Sequence, residues 1–208
     1  MDQQEPLVFI VDDDASVRRS LGQLLRSVGL ASEPFVSAQE FLEAERPDRP
    51  SCLVLDVRMP GMNGMDLQSE LAKRGCGIPV IFITGHGDLP MGVRAMKAGA
   101  VDFLSKPFND QDLLDAIHTS LELDRNNRRD ARVLAELQRR METLTPRERE
   151  VFERVVSGAL NKQIAYDLGV GEKTIKVHRG KVMGKMGAES LAHLVRMAQT
   201  LGVGADQR

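Results

Sequence analysis

The sequence predicts an α/β domain with a doubly wound, five-stranded parallel sheet, followed by a small all-α helix-turn-helix domain. Two observations predict the first domain. Short apolar runs alternate with amphipathic segments over the first 108 residues, and polar residues follow several of these runs. A third observation, a helical pattern throughout the last sixty or so residues, predicts the second domain. With 208 residues, the chain is long enough for two domains of ordinary size.

The composition is that of an ordinary soluble protein, with 42% hydrophobic and 28% charged residues. No run approaches eighteen apolar residues and no basic residue precedes the first run, so we expect neither a membrane span nor a signal peptide. Cys52 and Cys76 lack metal-binding spacing, which indicates free thiols in the cytoplasm. Residues 142–208 carry 11 basic and 8 acidic residues although the whole chain has a net charge of -2. This asymmetry suits a signalling domain joined to a nucleic-acid-binding domain.

Five apolar runs predict the strands of the sheet. They cover residues 7–11, 52–56, 79–84 and 101–104, with a weaker one near 31–35. Apolar residues recur at helical spacing between the first two runs, and Ser37 followed by Glu40 predicts a capping box at the start of the next helix. In a parallel sheet the carboxyl ends of the strands lie at one edge, where such folds hold their chemistry.

From residue 109 onwards the pattern becomes helical. Residues 124–132 are charged and contain neither Gly nor Pro, which predicts a helical linker, with a flexible polar linker as the alternative. Thr145, Pro146 and Glu148 predict a capped helix start. The predicted boundaries are 1–122 for the first domain, 123–141 for the linker and 142–208 for the second domain, in which glycines end the helices at Gly158, Gly169 and Gly187.

Polar residues gather at the predicted strand ends: Asp12 and Asp13 after the first strand, Asp56 at the end of the third, Thr84 at the end of the fourth, and Lys106 after the fifth. Converging carboxylates favour a hard divalent cation such as Mg²⁺. One carboxylate oxygen could then attack a phosphoryl group, with charge neutralised by an ammonium and a hydrogen bond from a hydroxyl. Taken singly, each residue has an ordinary role, and the aspartates at 12–14 would be helix caps.

The motifs VDDD at 11–14, LDVRMPGMNG at 55–64, ITGHGD at 83–88 and KPF at 106–108 resemble the receiver domains of bacterial two-component systems. The resemblance extends over residues 7–120 and is closest to the FixJ-like subfamily. It implies a flavodoxin-like fold with Asp56 as the phosphoacceptor. It also implies Mg²⁺ at an acidic pocket, Thr84 and Lys106 at the phosphoryl group, and a cis peptide bond before Pro107. The implied metal site consists of Asp12, Asp13, Asp56 and the backbone carbonyl of Arg58.

Three further residues have positions of interest in receivers. Phe103 falls at the position of the switch aromatic, although a plain core residue is the alternative. Arg58 and His86 lie two residues after Asp56 and Thr84, where receivers place residues that control hydrolysis of the phosphoryl group. A solvated loop histidine is the alternative interpretation of His86.

A helix-turn-helix is predicted in the second domain. Ile164, Ala165 and Leu168 form the buried face of a short helix, and residues 169–171 form the turn. A second helix covers residues 172–186, with Ile175, Val182 and Met186 turned inward. It carries five basic residues and one acidic residue, which is typical of a helix in the major groove of DNA. The basic face of any small helical bundle is the alternative.

The segment GALNKQIAYDLGVGEKTIKVHRGKVMGKM resembles the LuxR-type DNA-binding domain, with a match over residues 144–201. The resemblance implies that helix 172–186 is the recognition helix and that Lys176 and Val177 read base edges. Relatives carry a lysine where this chain has Gly180, so one base contact is expected to be missing. The terminal helix, 190–200, is the one through which relatives pair on DNA. The other expected DNA-contacting residues are Lys173, Thr174, Arg179 and Lys181.

Together the two resemblances predict a phosphorylation-dependent transcriptional regulator rather than an enzyme, with slow self-dephosphorylation only. The expected partners are a sensor histidine kinase, promoter DNA, a second copy of the chain after phosphorylation and RNA polymerase, and the expected outcome is activation. The alternative is a phosphohydrolase of the haloacid-dehalogenase type, because FIVDDDAS also fits Asp12 as nucleophile and Asp14 as acid. Such enzymes need a further acidic pair downstream, which ITGHGDLP does not supply convincingly.

Overall fold

The computed structural model of the chain describes residues 5–85 and 89–203. The chain divides into two compact units, Met1–Arg128 and Arg129–Arg208. Throughout the described part of the chain, no helix combines the length and the apolar character needed to cross a membrane.

The first unit contains a five-stranded parallel sheet with the strand order β2-β1-β3-β4-β5. The strand order reverses beside β1, as in doubly wound folds that hold ligands at the carboxyl edge of the sheet. The predicted fold class is therefore confirmed. The last strand begins one residue later than predicted, because Val101 still belongs to the turn and donates its N–H to the Val80 carbonyl at 2.8 Å. The strands are β1 Leu7–Val11, β2 Ala31–Phe35, β3 Ser51–Asp56, β4 Val80–Thr84 and β5 Asp102–Ser105.

Helices cover both faces of this sheet. Phe9 and Phe82 face one core, which includes residues of the second, third and fourth helices. Ile10 and Ile81 face the other core, with residues of the first and fifth helices. Because both faces are buried, the strands are continuous apolar runs rather than alternating ones. The helices are α1 Ala15–Ser27, α2 Ala38–Glu43, α3 Gly64–Lys73, α4 Leu89–Lys97 and α5 Asp110–Glu142.

Side-chain caps begin several of these helices. Asp14 caps α1 by accepting the Ser16 N–H at 2.7 Å, so the capping role falls to this aspartate of the 12–14 triplet. Ser37 caps α2, but the predicted capping box is only half formed, because the Glu40 carboxylate accepts the N–H of Val36 rather than that of Ser37. The hydrogen bond to Val36 instead fixes the chain just before the helix.

The helix α5 continues through the whole of the predicted linker, 123–141, so that segment is helical. Its contacts with the first unit extend to Asp124 and Arg128. The buried Asp124 carboxylate accepts the Ser51 N–H at 2.8 Å and pairs with Arg128 Nε at 2.6 Å. Arg128 also bonds to Asp48. These bonds attach α5 to the start of β3.

The second unit is a small helical bundle around Phe152, Ile164, Ile175, Val182 and Leu194, all of which are fully buried. Glycines in the left-handed region follow three of its helices, at φ values of 89° for Gly158, 63° for Gly169 and 69° for Gly187. This conformation is costly for residues with a Cβ, so the predicted helix ends are confirmed. The helices are α6 Pro146–Val156, α7 Asn161–Asp167, α8 Glu172–Met186 and α9 Leu191–Thr200.

Glu148 connects α6 to α8 inside this bundle. Its carboxylate is buried, accepts the Thr145 N–H at 2.9 Å to complete the predicted capping box, and pairs with Lys185 Nζ at 2.6 Å. The Lys185 ammonium and the Thr145 N–H hold the pKa of Glu148 at about 2, below its ordinary value of 4.5. The ionised carboxylate is therefore favoured by the folded state.

We expect acid to weaken the second unit through Glu148. A group whose pKa is lowered by folding contributes stability that is present above pH 4.5 and is lost as the pH falls towards 2. The unfolding temperature measured by calorimetry should therefore fall more steeply across this interval in the native chain than in Glu148→Gln. The exposed Glu153→Gln serves as the control, and identical pH profiles for Glu148→Gln and the native chain would contradict the expectation.

Candidate functional site

Three of the predicted site residues meet at the carboxyl edge of the sheet. Lys106 Nζ lies 2.7 Å from Asp12 Oδ2 and 2.8 Å from Asp56 Oδ1. Asp12 is 1% exposed and Asp56 is 6% exposed. The structure therefore places two buried carboxylates against one ammonium, although Lys106 is 94 residues from Asp12 and 50 from Asp56 in the chain.

The charges at this edge influence one another. Burial raises the pKa of Asp56, and the neighbouring Asp12 charge adds to this, while Lys106 and the Arg58 N–H oppose it without reversing it. Burial also acts to lower the pKa of Lys106, but its bonds to Asp12 and Asp56 more than offset this and raise it. Lys106 therefore stays a cation, which can neutralise negative charge that develops on an attacking carboxylate or on a phosphoryl group.

The backbone around the site holds these side chains in place. The Lys106 N–H donates to the Thr84 carbonyl at 2.7 Å, and the Lys106–Pro107 peptide bond is cis, as the receiver resemblance implies. Thr84 is fully buried at the end of β4. The Arg58 N–H donates to Asp56 Oδ2 at 2.7 Å. Both oxygens of Asp56 thus accept a hydrogen bond.

Two residues that support the site are absent from the sequence-based prediction. Arg18 in α1 donates from its guanidinium to the Asp12 carbonyl at 2.6 Å, and no local pattern signals this bond. Gly64 begins α3 against the backbone of Asp56, where an added Cβ would lie 2.4 Å from the Asp56 carbonyl oxygen and 3.1 Å from Val57 Cα. The second glycine of the GMNG segment, Gly64, is the signal in the sequence that could have identified this close approach.

We expect Gly64→Ala to damage the site through the backbone of Asp56. A contact of 2.4 Å cannot be tolerated, so the loop must shift, at a cost of about 1–3 kcal/mol of unfolding free energy. A displaced Asp56 should also react more slowly with a phosphoryl donor, by up to about 100-fold. Gly77→Ala is the matched control, because a Cβ at Gly77 meets nothing within 4 Å. Equal phosphorylation rates in the two variants would contradict this account.

A magnesium site at this edge needs oxygen ligands. Asp12 and Asp56 each direct one carboxylate oxygen at the Lys106 ammonium. Carboxylate oxygens are also the ligands that suit a hard divalent ion. Asp13 is exposed and lines, together with Arg58, a cavity of about 700 Å³. Within residues 5–85 and 89–203, no three Asp, Glu, His or Cys side chains lie close enough together to hold a metal ion. The donor types therefore fit Mg²⁺, but the three carboxylates do not converge on one point.

The remaining predicted residues of the first unit are Phe103, Arg58 and His86. Phe103 is half-buried on β5, with its ring 6.4 Å from the ring of Phe82 and packed against the core. Arg58 contributes its backbone to the site, as described above. His86 lies outside the described residues.

The second unit presents the predicted recognition helix as α8, with the predicted bounds. Ile175, Val182 and Met186 are fully buried, as expected. Arg179 differs from the prediction of an outward side chain, because it is half-buried and donates to Asn161 Oδ1 at 3.0 Å, at the start of α7. The side chains that the structure leaves exposed on α8 include Lys173, Thr174, Lys176, Val177 and Lys181. The exposed surface is therefore basic around one apolar residue, Val177, which is 53% exposed.

The fold and these two surfaces define a class of protein, in which a receiver-like α/β domain is carried on the same chain as a helix-turn-helix domain. Residues 8–118 match the family described as response regulator receiver domain. Residues 142–198 match the family described as bacterial regulatory proteins, luxR family.

Full-length relatives have the same combination. Nodulation protein W of Bradyrhizobium diazoefficiens is 57% identical over 200 residues, which are 96% of this chain and 88% of that protein. Transcriptional regulatory protein FixJ of Rhizobium meliloti is 47% identical over 197 residues, or 95% and 97% of the two chains. The solved structure of the response regulator StyR has a TM-score of 0.84 and 50% identity, covering 94% of this chain and 99% of that one.

The chain therefore belongs to the FixJ-like response regulators of two-component systems. It is a phosphorylation-dependent, DNA-binding transcriptional regulator and not an enzyme. The phosphohydrolase alternative finds no support, since both family matches are to regulatory proteins and Asp14, its expected acid, is the cap of α1. Receiver domains generally bind Mg²⁺ at their phosphorylation site, and a response regulator implies a histidine kinase as partner.

Proposed function

We propose that the chain accepts a phosphoryl group on Asp56 from a sensor histidine kinase in the cytoplasm, forms a homodimer, and binds promoter DNA, where it activates transcription with RNA polymerase. The observation that carries the proposal is the pair of buried carboxylates held by Lys106 in a chain that also presents a basic recognition helix. We assign residues 1–122 to the receiver domain, 123–141 to the helical linker and 142–208 to the DNA-binding domain.

The transfer is a displacement at phosphorus. An Oδ atom of Asp56 forms the new bond to phosphorus, and the bond from phosphorus to the kinase histidine nitrogen breaks, leaving the electron pair on that nitrogen. Lys106, which already lies 2.8 Å from Asp56 Oδ1, neutralises charge on the phosphoryl oxygens, and the Thr84 hydroxyl donates a hydrogen bond to one of them. Asp12 keeps Lys106 charged and in position.

We assign Mg²⁺ to Asp12, Asp13, Asp56 and the backbone carbonyl of Arg58. When bound, the ion supplies positive charge beside the transferring phosphoryl group. Asp13, which is exposed, has the freedom to turn towards the ion. Asp12 and Asp56 lie at the same edge of the sheet, where their bonds to Lys106 hold both carboxylates beside the expected position of the ion.

Phosphorylation then shifts an equilibrium between two conformations of the receiver domain. Thr84 moves towards the phosphoryl group, the Phe103 ring turns inward, and the outer face of α4 becomes the dimer interface. This face has exposed apolar side chains at Val93 (45%) and Met96 (47%), which a partner chain would cover.

Paired domains then bind two half-sites on DNA through α8. Lys176 and Val177 contact base edges in the major groove, where a lysine can bond to guanine and an apolar side chain can contact a thymine methyl group. Lys173, Thr174, Arg179 and Lys181 contact phosphates, which position the helix without specifying a sequence. The contact between Arg179 and Asn161 must loosen or be shared for Arg179 to reach the DNA.

The proposal is tested by incubating the full chain with acetyl phosphate and Mg²⁺. We expect a stable label on Asp56, a shift from monomer to dimer in sedimentation, and tighter binding to duplexes selected from a random pool. Label that turns over through Asp12, or stable label on Asp56 without any change in dimerisation and DNA binding, would refute it.

A further inference from the structure

Gly92 in α4 and Phe103 in β5 make an unusually close contact. A Cβ placed on Gly92 would lie 3.2 Å from Cδ1, 3.5 Å from Cε1 and 3.6 Å from Cγ of the Phe103 ring. The ring would therefore have to shift by a few tenths of an ångström to accommodate a Cβ at position 92.

The backbone of α4 does not itself call for a glycine at this position. Gly92 lies inside the helix and does not have a positive φ, unlike the glycines that end helices elsewhere in the chain. A glycine inside a helix costs about 1 kcal/mol relative to alanine. The approach of the Phe103 ring is the feature of the fold that accounts for this residue.

The Phe103 ring is only partly enclosed by the protein. Phe103 is half-buried, and its ring is inclined by 49° to that of Phe82 at a centroid distance of 6.4 Å. Its backbone is held in β5, where its N–H donates to Asp102 Oδ1 at 2.7 Å. A half-buried ring on a fixed backbone changes position by moving between staggered rotamers.

We infer that Gly92 sets the resting position of the Phe103 ring, and so limits the fraction of unphosphorylated protein in the dimer-forming conformation. The inference rests on the proposed function, in which an inward turn of Phe103 accompanies dimerisation. Because Gly92 has no Cβ, the Phe103 ring can pack closely against α4. A methyl group at position 92 raises the free energy of this resting position, so the inward position of the ring is favoured.

The size of the effect follows from the contact. A cost of about 1 kcal/mol on one of two conformations changes their ratio about fivefold. The dimer needs both protomers in this conformation, so the fivefold change enters once for each protomer. We therefore expect Gly92→Ala to lower the dissociation constant of the unphosphorylated dimer about 25-fold, in the full chain and without a phosphoryl donor.

A double-mutant cycle separates this mechanism from a simple strengthening of α4. Alanine also favours a helix, so Gly92→Ala could stabilise α4 regardless of the ring. In the Phe103→Ala background, the ring is absent and Gly92→Ala should leave the dissociation constant unchanged. An unchanged or weaker dimer in the single variant, or an equal gain in the Phe103→Ala background, would overturn the inference.

A direct measurement of the ring covers the case in which Phe103→Ala does not fold. We would place 4-fluorophenylalanine at position 103 alone and record its fluorine resonance. In Gly92→Ala without donor, the resonance should move towards the position that the native chain reaches with acetyl phosphate. A resonance that stays at the position seen in the unphosphorylated native chain would overturn the inference.

The native chain with acetyl phosphate separates a failure of the proposed function from a failure of the role of Gly92 alone. If it fails to dimerise, the proposed function fails, and the fluorine resonance of Gly92→Ala still decides whether Gly92 holds the ring. If it dimerises and Gly92→Ala changes neither the dimer nor the resonance, only the role of Gly92 fails.

Discussion

Replacing Asp56 with asparagine is expected to abolish phosphorylation by acetyl phosphate and with it the shift to dimer and the gain in DNA binding. Asparagine keeps the size of the side chain, but an amide oxygen is too weak a nucleophile to attack phosphorus. The variant also removes one of the two carboxylates that pair with Lys106. It should therefore remain a monomer at donor concentrations that convert the native chain, as measured by sedimentation and by retention of label.

The matched control is Asp14→Asn, which makes the same chemical change three residues after the end of β1. Asp14 caps α1 through the Ser16 N–H at 2.7 Å, and asparagine is an equally good cap. This variant should be phosphorylated and should dimerise like the native chain. Loss of phosphorylation in Asp14→Asn, or its persistence in Asp56→Asn, would place the phosphoacceptor elsewhere.

Truncating Lys176 to alanine is expected to weaken binding to the preferred DNA sequence by about 5- to 150-fold, because a good contact to a base edge contributes about 1–3 kcal/mol of discrimination. Lys176 is exposed on α8, away from the buried Ile175 and Val182, so the fold should be unaffected. The measurement is a titration of phosphorylated protein with duplexes in which each position of the selected sequence is varied in turn. Preference for one base pair should be lost at the position that Lys176 contacts.

Alanine variants of two other lysines serve as controls for Lys176→Ala. Lys173→Ala should weaken binding to all sequences alike and reduce the dependence on salt by about one ion, as expected for a phosphate contact. Lys73→Ala removes the same charge from the receiver domain, where the side chain is 75% exposed, and should leave DNA binding unchanged. A uniform loss in Lys176→Ala, with sequence preference intact, would show that this residue contacts phosphate instead.

Periodicity alone predicted most of the fold. The strands at 7–11 and 31–35 and the helix at 172–186 have the predicted bounds. The first is a continuous apolar run, the second is a weaker one, and the helix lies between Gly171 and Gly187. The start of β5 was predicted less well, since Val101 is apolar whether it belongs to the strand or to the turn before it. Capping was predicted fully at Thr145 but only in part at Ser37, where the glutamate bonds one residue further back than expected.

The candidate site was predicted through its residue types rather than its geometry. Asp12, Asp56 and Lys106 could be identified because each follows or ends a strand of a parallel sheet, and such strand ends must meet at one edge. The partial burial of Arg179 could not be identified from the sequence, because it depends on a bond to Asn161, which lies 18 residues away in the chain. The exposure of Asp13 likewise depends on how the surrounding elements pack.

The amino-acid sequence by itself therefore determined the order of strands and helices along the chain, the two domains and the residue types on which the proposed phosphoryl acceptance and DNA contact depend. The spacing of apolar residues, the helix caps and the aspartates at strand ends are local features, so they can be identified from the sequence alone. Only the tertiary structure decided that Lys106 bridges Asp12 and Asp56, that Gly64 supports the backbone of Asp56, and that the Phe103 ring rests on Gly92. Those contacts join residues from separate elements, and their distances depend on how the elements pack.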